Sequence, residues 1–292
     1  MAYYLGVNII ILFFSVLIYG FNSSKEISDK TNQRQNAIFL VCSFLVLVFL
    51  SGFRGDFTSD YKNYASLFHM YNTYSLPEVL TINFSQEKGY VLFSRIIGEF
   101  TNDPMYLMIC SSILIVLLFL KEIKRESRIV WLSILLFINI GAYYTSFNIM
   151  RHIMAGAIIF GGSKFLYTRE FFKFLVVVLI ASSFHTTAIV FIPFYFIVNV
   201  KYNKRNFIAI TLGSVITTIF IGDILNIIFR FGFQRYANYE YGMTGLNLTS
   251  AVVPIAILLF VLFHKDLINL KEIKTKIWFN ATFYYAIFTI LG

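Results

Sequence analysis

Long apolar runs alternate with short charged connections along almost the whole chain. The runs have the length of helices that cross a bilayer, about 15 to 20 residues. They occupy residues 3–21, 37–52, 104–120, 129–147, 149–167, 172–184, 186–200, 206–222, 249–264 and 277–292. Lipid offers no hydrogen-bond partner to the backbone, so such runs must form helices. The pattern predicts an all-α, polytopic membrane protein with about ten transmembrane helices in a single domain, residues 1–292.

The pattern changes over residues 53–103, which are unusually rich in ionisable side chains. Their charged residues are Arg54, Asp56, Asp60, Lys62, Glu87, Lys88, Arg95, Glu99 and Asp103. Within this stretch, apolar residues recur at helical spacing at Tyr90, Phe93, Ile97 and Phe100. Arg95 and Glu99 occupy another face, which favours an interfacial or re-entrant helix over a membrane crossing.

Composition supports the membrane assignment. The chain is 58% hydrophobic, 19% aromatic and only 13% charged, and its mean hydropathy is +0.72. Soluble globular domains are roughly half apolar. The two cysteines, Cys42 and Cys110, both lie inside apolar runs, so neither a disulfide framework nor a cysteine metal site is expected.

The net charge of +9 is evidence first for the membrane topology of the chain, because cytoplasmic loops of membrane proteins carry an excess of lysine and arginine. No nucleic-acid partner is therefore expected. The basic clusters fall near residues 25–34, 121–128, 164–173, 201–205 and 265–276. All of them can be cytoplasmic if residues 87–100 do not cross and residues 172–200 form a hairpin of short helices that turns near 183–185. The 53–103 and 223–248 loops are then extracytoplasmic.

With this topology, the plausible reactive side chains share the extracytoplasmic side. They are Arg54, Asp60, Glu87, Arg151, His152, His185, Arg230 and Arg235, with Tyr61, Tyr64 and Tyr90 nearby in sequence. Arginine binds phosphate oxygens through a planar fork and stays charged when partly desolvated. Several arginines on the outer side, against the usual topological bias, indicate an anionic ligand at the outer leaflet.

Each of these residues also has a structural interpretation. Arg151 could extend its side chain to the interface, and His185 could be a hydrogen-bonded packing residue. Asp60 and Glu87 could be first-turn carboxylates that the helix dipole favours. The tyrosines could serve only in packing, and the arginines of the 223–248 loop could lie in an ordinary solvated loop.

Several motifs are missing from the sequence, and their absence narrows the chemistry. There is no phosphate-binding glycine loop, no histidine pair at zinc-ligand spacing, no carboxylate cluster typical of Mg²⁺ and no Gly-x-Ser-x-Gly elbow. No metal and no cofactor are therefore expected. Any reaction should draw its energy from the substrate itself.

Four motifs follow one another over nearly the whole chain. They are Arg54 with Asp60-Tyr61-Lys62-Asn63-Tyr64 and Phe68, then Glu87-Lys88-Gly89-Tyr90, then residues 148–155, then His185-Thr186-Thr187-Ala188 with Pro193. Together, and in the family's order, they resemble the EpsG-like branch of the Wzy-type polysaccharide polymerases. The chain departs from the family at His152, where glutamine is common, and at Thr186 and Thr187, where serines are common. It also has Thr58-Ser59 where Gly-Thr is usual.

The resemblance implies a GT-C-like membrane glycosyltransferase that uses neither a metal nor a nucleotide sugar. Its substrates would be undecaprenyl-pyrophosphate-linked oligosaccharide repeats, which it would join at the outer face of the bacterial plasma (inner) membrane. A chain-length regulator and other polysaccharide-synthesis proteins are further expected partners, besides the lipid bilayer.

Glycosyl transfer from a pyrophosphate needs a base for the acceptor hydroxyl and cations for the departing phosphates. Asp60 is the first candidate for the base and Glu87 the second, because both are outward carboxylates near aromatic residues suited to sugar faces. The candidate substrate-binding residues therefore include Tyr61, Tyr64, Tyr90 and His152, besides the arginines. Arg54, Arg151 and Arg235 are candidate pyrophosphate ligands, and His185 would bind a phosphate or orient the acceptor. Other functions stay open: a flippase or exporter of lipid-linked oligosaccharides, an O-acyltransferase that modifies surface polysaccharide, or a scaffold protein.

Overall fold

The computed structural model describes residues 2–20, 29–55, 58–201, 204–220 and 272–291, with a few scattered residues between 252 and 263. These parts of the chain are helical and contain no strand. The helices are α1 Ala2–Tyr19, α2 Asp29–Gly52, α3 Tyr61–Asn72, α4 Leu76–Thr81, α5 Lys88–Gly98, α6 Met105–Glu126, α7 Val130–Asn139, α8 Ala142–Thr145, α9 Met150–Gly161, α10 Lys164–Tyr167, α11 Phe171–Phe184, a 3₁₀ helix Thr186–Val190, α12 Phe191–Asn199, α13 Lys204–Ile219 and α14 Ile273–Leu291.

The chain divides into two compact units. The first comprises Met1–Ser163 and Phe172–Val190, and the second comprises Lys164–Phe171 and Phe191–Gly292. In the second unit, α12 and α13 both pack on α14. The Asn280 side-chain amide donates hydrogen bonds to the carbonyl oxygens of Val198 at 2.9 Å and Val200 at 3.1 Å. These bonds satisfy carbonyls that the end of α12 leaves without a partner in the helix.

The first unit is organised around α6, which packs on α2 and on α9. Helices α2 and α6 approach closely at Gly52, where a β-carbon would lie 3.0 Å from Ile109 Cγ1. Small residues allow such contacts between helices that cross a membrane. A second layer, formed by α1 and α7, packs on α2 and buries Ile11, Phe39 and Ile134 completely.

Two of the helices, Asn32–Gly52 and Met105–Glu126, are long and apolar enough to cross a bilayer. Most other apolar helices of the described region are shorter than the sequence pattern predicts. The predicted span 129–147 is divided into α7 and α8 because Gly141, at a φ of 103°, adopts a left-handed conformation that ends a helix. The predicted span 149–167 is likewise divided, since α9 ends at Gly161 and α10 begins at Lys164.

Residues 53–103 fold into α3, α4 and α5, with both α3 and α4 packed against α5. Helix α5 has 11 residues and so rises about 16 Å, against a hydrocarbon thickness of about 30 Å. It is too short to cross, as the sequence predicts. Of its predicted apolar face, Tyr90 is buried and Phe93 and Ile97 are partly buried. Phe100 is 86% exposed, because α5 ends at Gly98 and its helical face does not continue that far.

The break predicted near residues 183–185 is present. Helix α11 ends at Phe184, and the 3₁₀ helix begins at Thr186. His185 lies between them, and its backbone N–H donates to Ala181 O at 3.0 Å. The break therefore presents His185 and Thr186 at a helix terminus, where backbone N–H groups are available to other partners.

Candidate functional site

The Glu87 carboxylate joins three segments that are distant in sequence. Glu87 is the N-cap residue of α5 and is only 5% exposed. Arg151 Nη1, in the first turn of α9, donates to Glu87 Oε2 at 2.6 Å. Thr186 donates to Glu87 Oε1 twice, from its backbone N–H at 3.1 Å and from its hydroxyl at 3.0 Å. The N-terminal ends of α5, α9 and the 3₁₀ helix thus meet at one buried carboxylate.

One histidine lies beside this carboxylate, and a second contacts the first. His185 Nδ1 is 3.8 Å from Glu87 Oε1, close enough for an ion pair when the imidazole is protonated. The His152 and His185 rings are in edge contact, with their centroids 5.0 Å apart. The structure therefore brings together Glu87, Arg151, His152 and His185, all of which the sequence pattern marks as candidates.

Three tyrosines, here called the tyrosine cluster, form the apolar support under Arg151. They are Tyr64, Tyr71 and Tyr90. The guanidinium carbon of Arg151 lies 5.6 Å from the centroid of the Tyr90 ring, within range of a cation–π interaction. The Tyr90 ring in turn contacts Tyr64 at 6.1 Å and Tyr71 at 6.4 Å between centroids.

The tyrosine cluster is buried, which bears on the prediction that Tyr64 and Tyr90 bind sugar faces. Tyr64 is 5% exposed and Tyr90 is fully buried. Burial raises the pKa of both phenols, and for Tyr64 the nearby Arg151 lowers the pKa and Asp60 raises it. These contacts favour a supporting role for the two rings. Tyr61, at the start of α3, is only partly buried and packs against the same cluster.

Asp60 lies at the N-cap position of α3, but its carboxylate makes no capping hydrogen bond to that helix. The side chain is partly buried. The negative charge of Asp60 is near enough to raise the pKa of Tyr64. Asp60 therefore lies close to the tyrosine cluster that supports Arg151. The next residue back, Ser59, donates from its hydroxyl to Asn148 Oδ1 at 3.1 Å. This bond connects the Asp60 segment to the residues just before α9.

Arg54 occupies the interior of the first unit and is 2% exposed. Its Nη1 donates to Ser51 O at 2.9 Å, and its Nη2 contacts the sulfur atoms of Met108 at 3.0 Å and Met150 at 3.4 Å. The guanidinium carbon also lies 5.6 Å from the Phe147 ring centroid. Arg54 is therefore adjacent to the start of α9 but is not presented at the surface beside Arg151, as a direct phosphate ligand would be.

The remaining predicted residues, Arg230 and Arg235, lie outside the described residues, as does the whole 223–248 loop. Among the residues that the structure describes, no group of three or more His, Cys, Asp or Glu side chains is arranged to hold a metal ion. Sequence reasoning did not select Thr186 as a site residue. Its position directly after His185 in a conspicuous polar motif was the available signal.

Comparison with known proteins identifies one family. The model of the EpsG family matches residues 37–292, well over half of the chain. No curated protein and no solved structure matches the chain. The chain belongs to the EpsG family, a family of Wzy-type polysaccharide polymerase-like proteins. Together with the apolar helices, this membership identifies a helical membrane protein of polysaccharide biosynthesis.

Proposed function

We propose that this member of the EpsG family polymerises undecaprenyl-pyrophosphate-linked oligosaccharide repeats at the outer leaflet of the bacterial plasma membrane. The observation that carries the proposal is the convergence of Arg151, Glu87 and His185 from three separate segments. A partly exposed arginine, an imidazole and nearby carboxylates are the groups that glycosyl transfer from a pyrophosphate requires.

Arg151 is the proposed ligand of the departing pyrophosphate. Its side chain is 25% exposed, and Nη1 binds Glu87. A guanidinium carries five N–H donors in a fixed fork, so donors remain for phosphate oxygens. The carboxylate and the tyrosine cluster hold the guanidinium from the protein side. His185, 22% exposed beside the same carboxylate, would donate a further hydrogen bond to the phosphate or to the acceptor sugar.

Asp60 remains the preferred base. In the proposed step, an acceptor hydroxyl oxygen attacks the anomeric carbon of the growing chain, and the bond from that carbon to the pyrophosphate oxygen breaks. The hydroxyl proton passes to Asp60, and the electron pair leaves with the pyrophosphate on its lipid. Glu87 is less suited to this task because both of its oxygens already accept hydrogen bonds, one of them from a guanidinium. Such bonds stabilise the ionised carboxylate and reduce its basicity.

The test is polymer formation by the purified full-length protein supplied with lipid-linked repeats from its own host. Asp60→Asn should lower the initial rate by about 10²- to 10⁴-fold, the usual contribution of general acid–base catalysis. Glu99→Gln is the matched control, because Glu99 is 44% exposed and pairs with Arg95 of α5, and exposed pairs contribute little.

Three results would contradict the proposal or a part of it. Unchanged polymerisation by Asp60→Asn would remove Asp60 as the base. Transfer of intact repeats across vesicle membranes by the wild-type protein, with no increase in chain length, would indicate a flippase. Activity that is lost with a chelator and restored by Mg²⁺ would contradict the metal-independent step.

A further inference from the structure

The two oxygens of the Glu87 carboxylate bind different partners: one binds a candidate substrate-binding group, and the other binds a structural residue. Oε2 accepts from Arg151 Nη1, and Oε1 accepts from the backbone N–H and the hydroxyl of Thr186. Thr186 is the first residue of the 3₁₀ helix, so its N–H has no carbonyl partner inside that helix. The threonine therefore offers two donors aimed at one oxygen.

Close packing between α5 and α11 also holds Glu87 and Thr186 in contact. A β-carbon on Gly89 would overlap Ser183 Oγ and would lie 2.7 Å from Ser183 O, so only glycine permits this approach. One helical turn further along α5, the Phe93 and Phe184 rings contact each other at 6.0 Å between centroids. Glu87, at the start of α5, is thereby held at a fixed distance from Thr186.

We infer that Thr186 is a positioning residue for the polymerase reaction: it fixes the Glu87 carboxylate, and through it sets the orientation in which Arg151 meets the pyrophosphate. The inference rests on the proposed function. An arginine that binds phosphate through a planar fork must be oriented as well as charged, and an error of about 1 Å in such a group can cost roughly 10²-fold in rate. Thr186 touches neither substrate nor the reacting atoms in this scheme.

The experiment compares three variants of the full-length protein in the polymerisation assay. Thr186→Val keeps the backbone N–H and the side-chain shape but removes the hydroxyl. Thr186→Ser restores the hydroxyl. Thr187→Val is the matched control, because Thr187 is the adjacent residue and is exposed. Thermal unfolding in detergent is measured for each variant, so that loss of fold is recognised separately from loss of function.

We expect kcat for Thr186→Val to fall about 10- to 100-fold, the range for losing a hydrogen bond to a charged group. The Tm should fall by no more than a few degrees, because the Thr186 N–H still donates to Glu87 Oε1. Thr186→Ser should recover most of the rate, and Thr187→Val should behave as wild type. Adding Thr186→Val to a Glu87→Gln background should cost little more, because both substitutions disturb the same carboxylate.

The outcomes separate the inference from the function on which it rests. If the wild-type protein makes no polymer, the proposed function fails. If the wild type polymerises and Thr186→Val does so equally well, only the positioning role fails. It also fails if Thr186→Ser is as impaired as Thr186→Val, since the hydroxyl would then be irrelevant. Hydrogen exchange at the first turn of α5 gives a readout independent of activity and should be faster in Thr186→Val.

Discussion

Replacing Glu87 by glutamine tests whether this carboxylate serves Arg151 or acts on substrate itself. The amide keeps the size of the side chain, but it removes the charge opposite Arg151 Nη1, 2.6 Å away. The amide NH₂ group must face either the Arg151 guanidinium or the two Thr186 donors, and an NH₂ group accepts from neither. At least one of the three hydrogen bonds to the carboxylate is therefore lost, whichever way the amide is oriented.

The size of the effect follows from burial. Glu87 is 5% exposed and Arg151 is 25% exposed, so the pair is largely but not fully shielded from water. Truncating one partner of a buried charge pair costs 2–5 kcal/mol or more, and the partial exposure of Arg151 places the expected coupling at about 2–4 kcal/mol. That corresponds to a loss of roughly 30- to 1000-fold in kcat/KM.

A double-mutant cycle gives the decisive measurement. Initial polymerisation rates are determined for Glu87→Gln, Arg151→Met and the double variant. If Glu87 acts only by holding Arg151, the double variant should be no slower than Arg151→Met alone, because residues that act as a unit are strongly non-additive. Glu99→Gln changes the carboxylate at the other end of α5 and should leave the rate close to that of the wild type.

Additive losses in this cycle would refute the reasoning. They would mean that Glu87 contributes to the reaction after Arg151 has been removed, as a base would. Wild-type activity of Glu87→Gln would also refute the proposal that Glu87 positions Arg151, because a largely buried pair at this distance would then have no influence on the reaction.

Three further outcomes follow from the structure. Gly89→Ala should lower the Tm clearly, since the new methyl group would overlap Ser183, whereas Gly156→Ala should have little effect because nothing lies within 4 Å of its β-carbon position. Glu122→Ala should lower the Tm more than Glu126→Ala, because both carboxylates pair with Arg125 but the Glu122 side chain is fully buried and the Glu126 side chain is 15% exposed, and truncating a fully buried side chain leaves a cavity. Burial raises the pKa of the three phenols of the tyrosine cluster above the ordinary value of 10.0, so the stability that they contribute is complete below pH 10 and is lost as pH rises above it. The chain has 19 tyrosines, and the exposed ones should ionise first, whereas the last part of the tyrosinate absorbance should appear together with the loss of helical circular dichroism. Full ionisation of all the tyrosines without loss of helix would contradict this.

Much of the architecture can be predicted from the sequence because it depends on local pattern. The apolar runs predict helices, and the described residues are helical. The interruption of residues 87–100 by charged side chains predicts a helix that stays out of the bilayer core, and α5 is indeed too short to cross. The family resemblance of the ordered motifs is confirmed by the family match over residues 37–292. The division at Gly141 was missed, because an apolar run continues through the glycine and only its positive φ reveals the break.

The arrangement of the site could not be predicted without the tertiary structure. The residues that meet at Glu87 are separated from it by 64 positions at Arg151 and by 99 positions at Thr186. Hydrophobic periodicity reports which face of a helix is apolar, but not which helix end will adjoin another. The sequence could therefore nominate Glu87, Arg151 and His185 by residue type and predicted side. Only packing decided that one carboxylate binds both Arg151 and Thr186, that Tyr90 supports the arginine from within the core, and that Arg54 is buried, because those facts depend on contacts that exist only once the chain has folded.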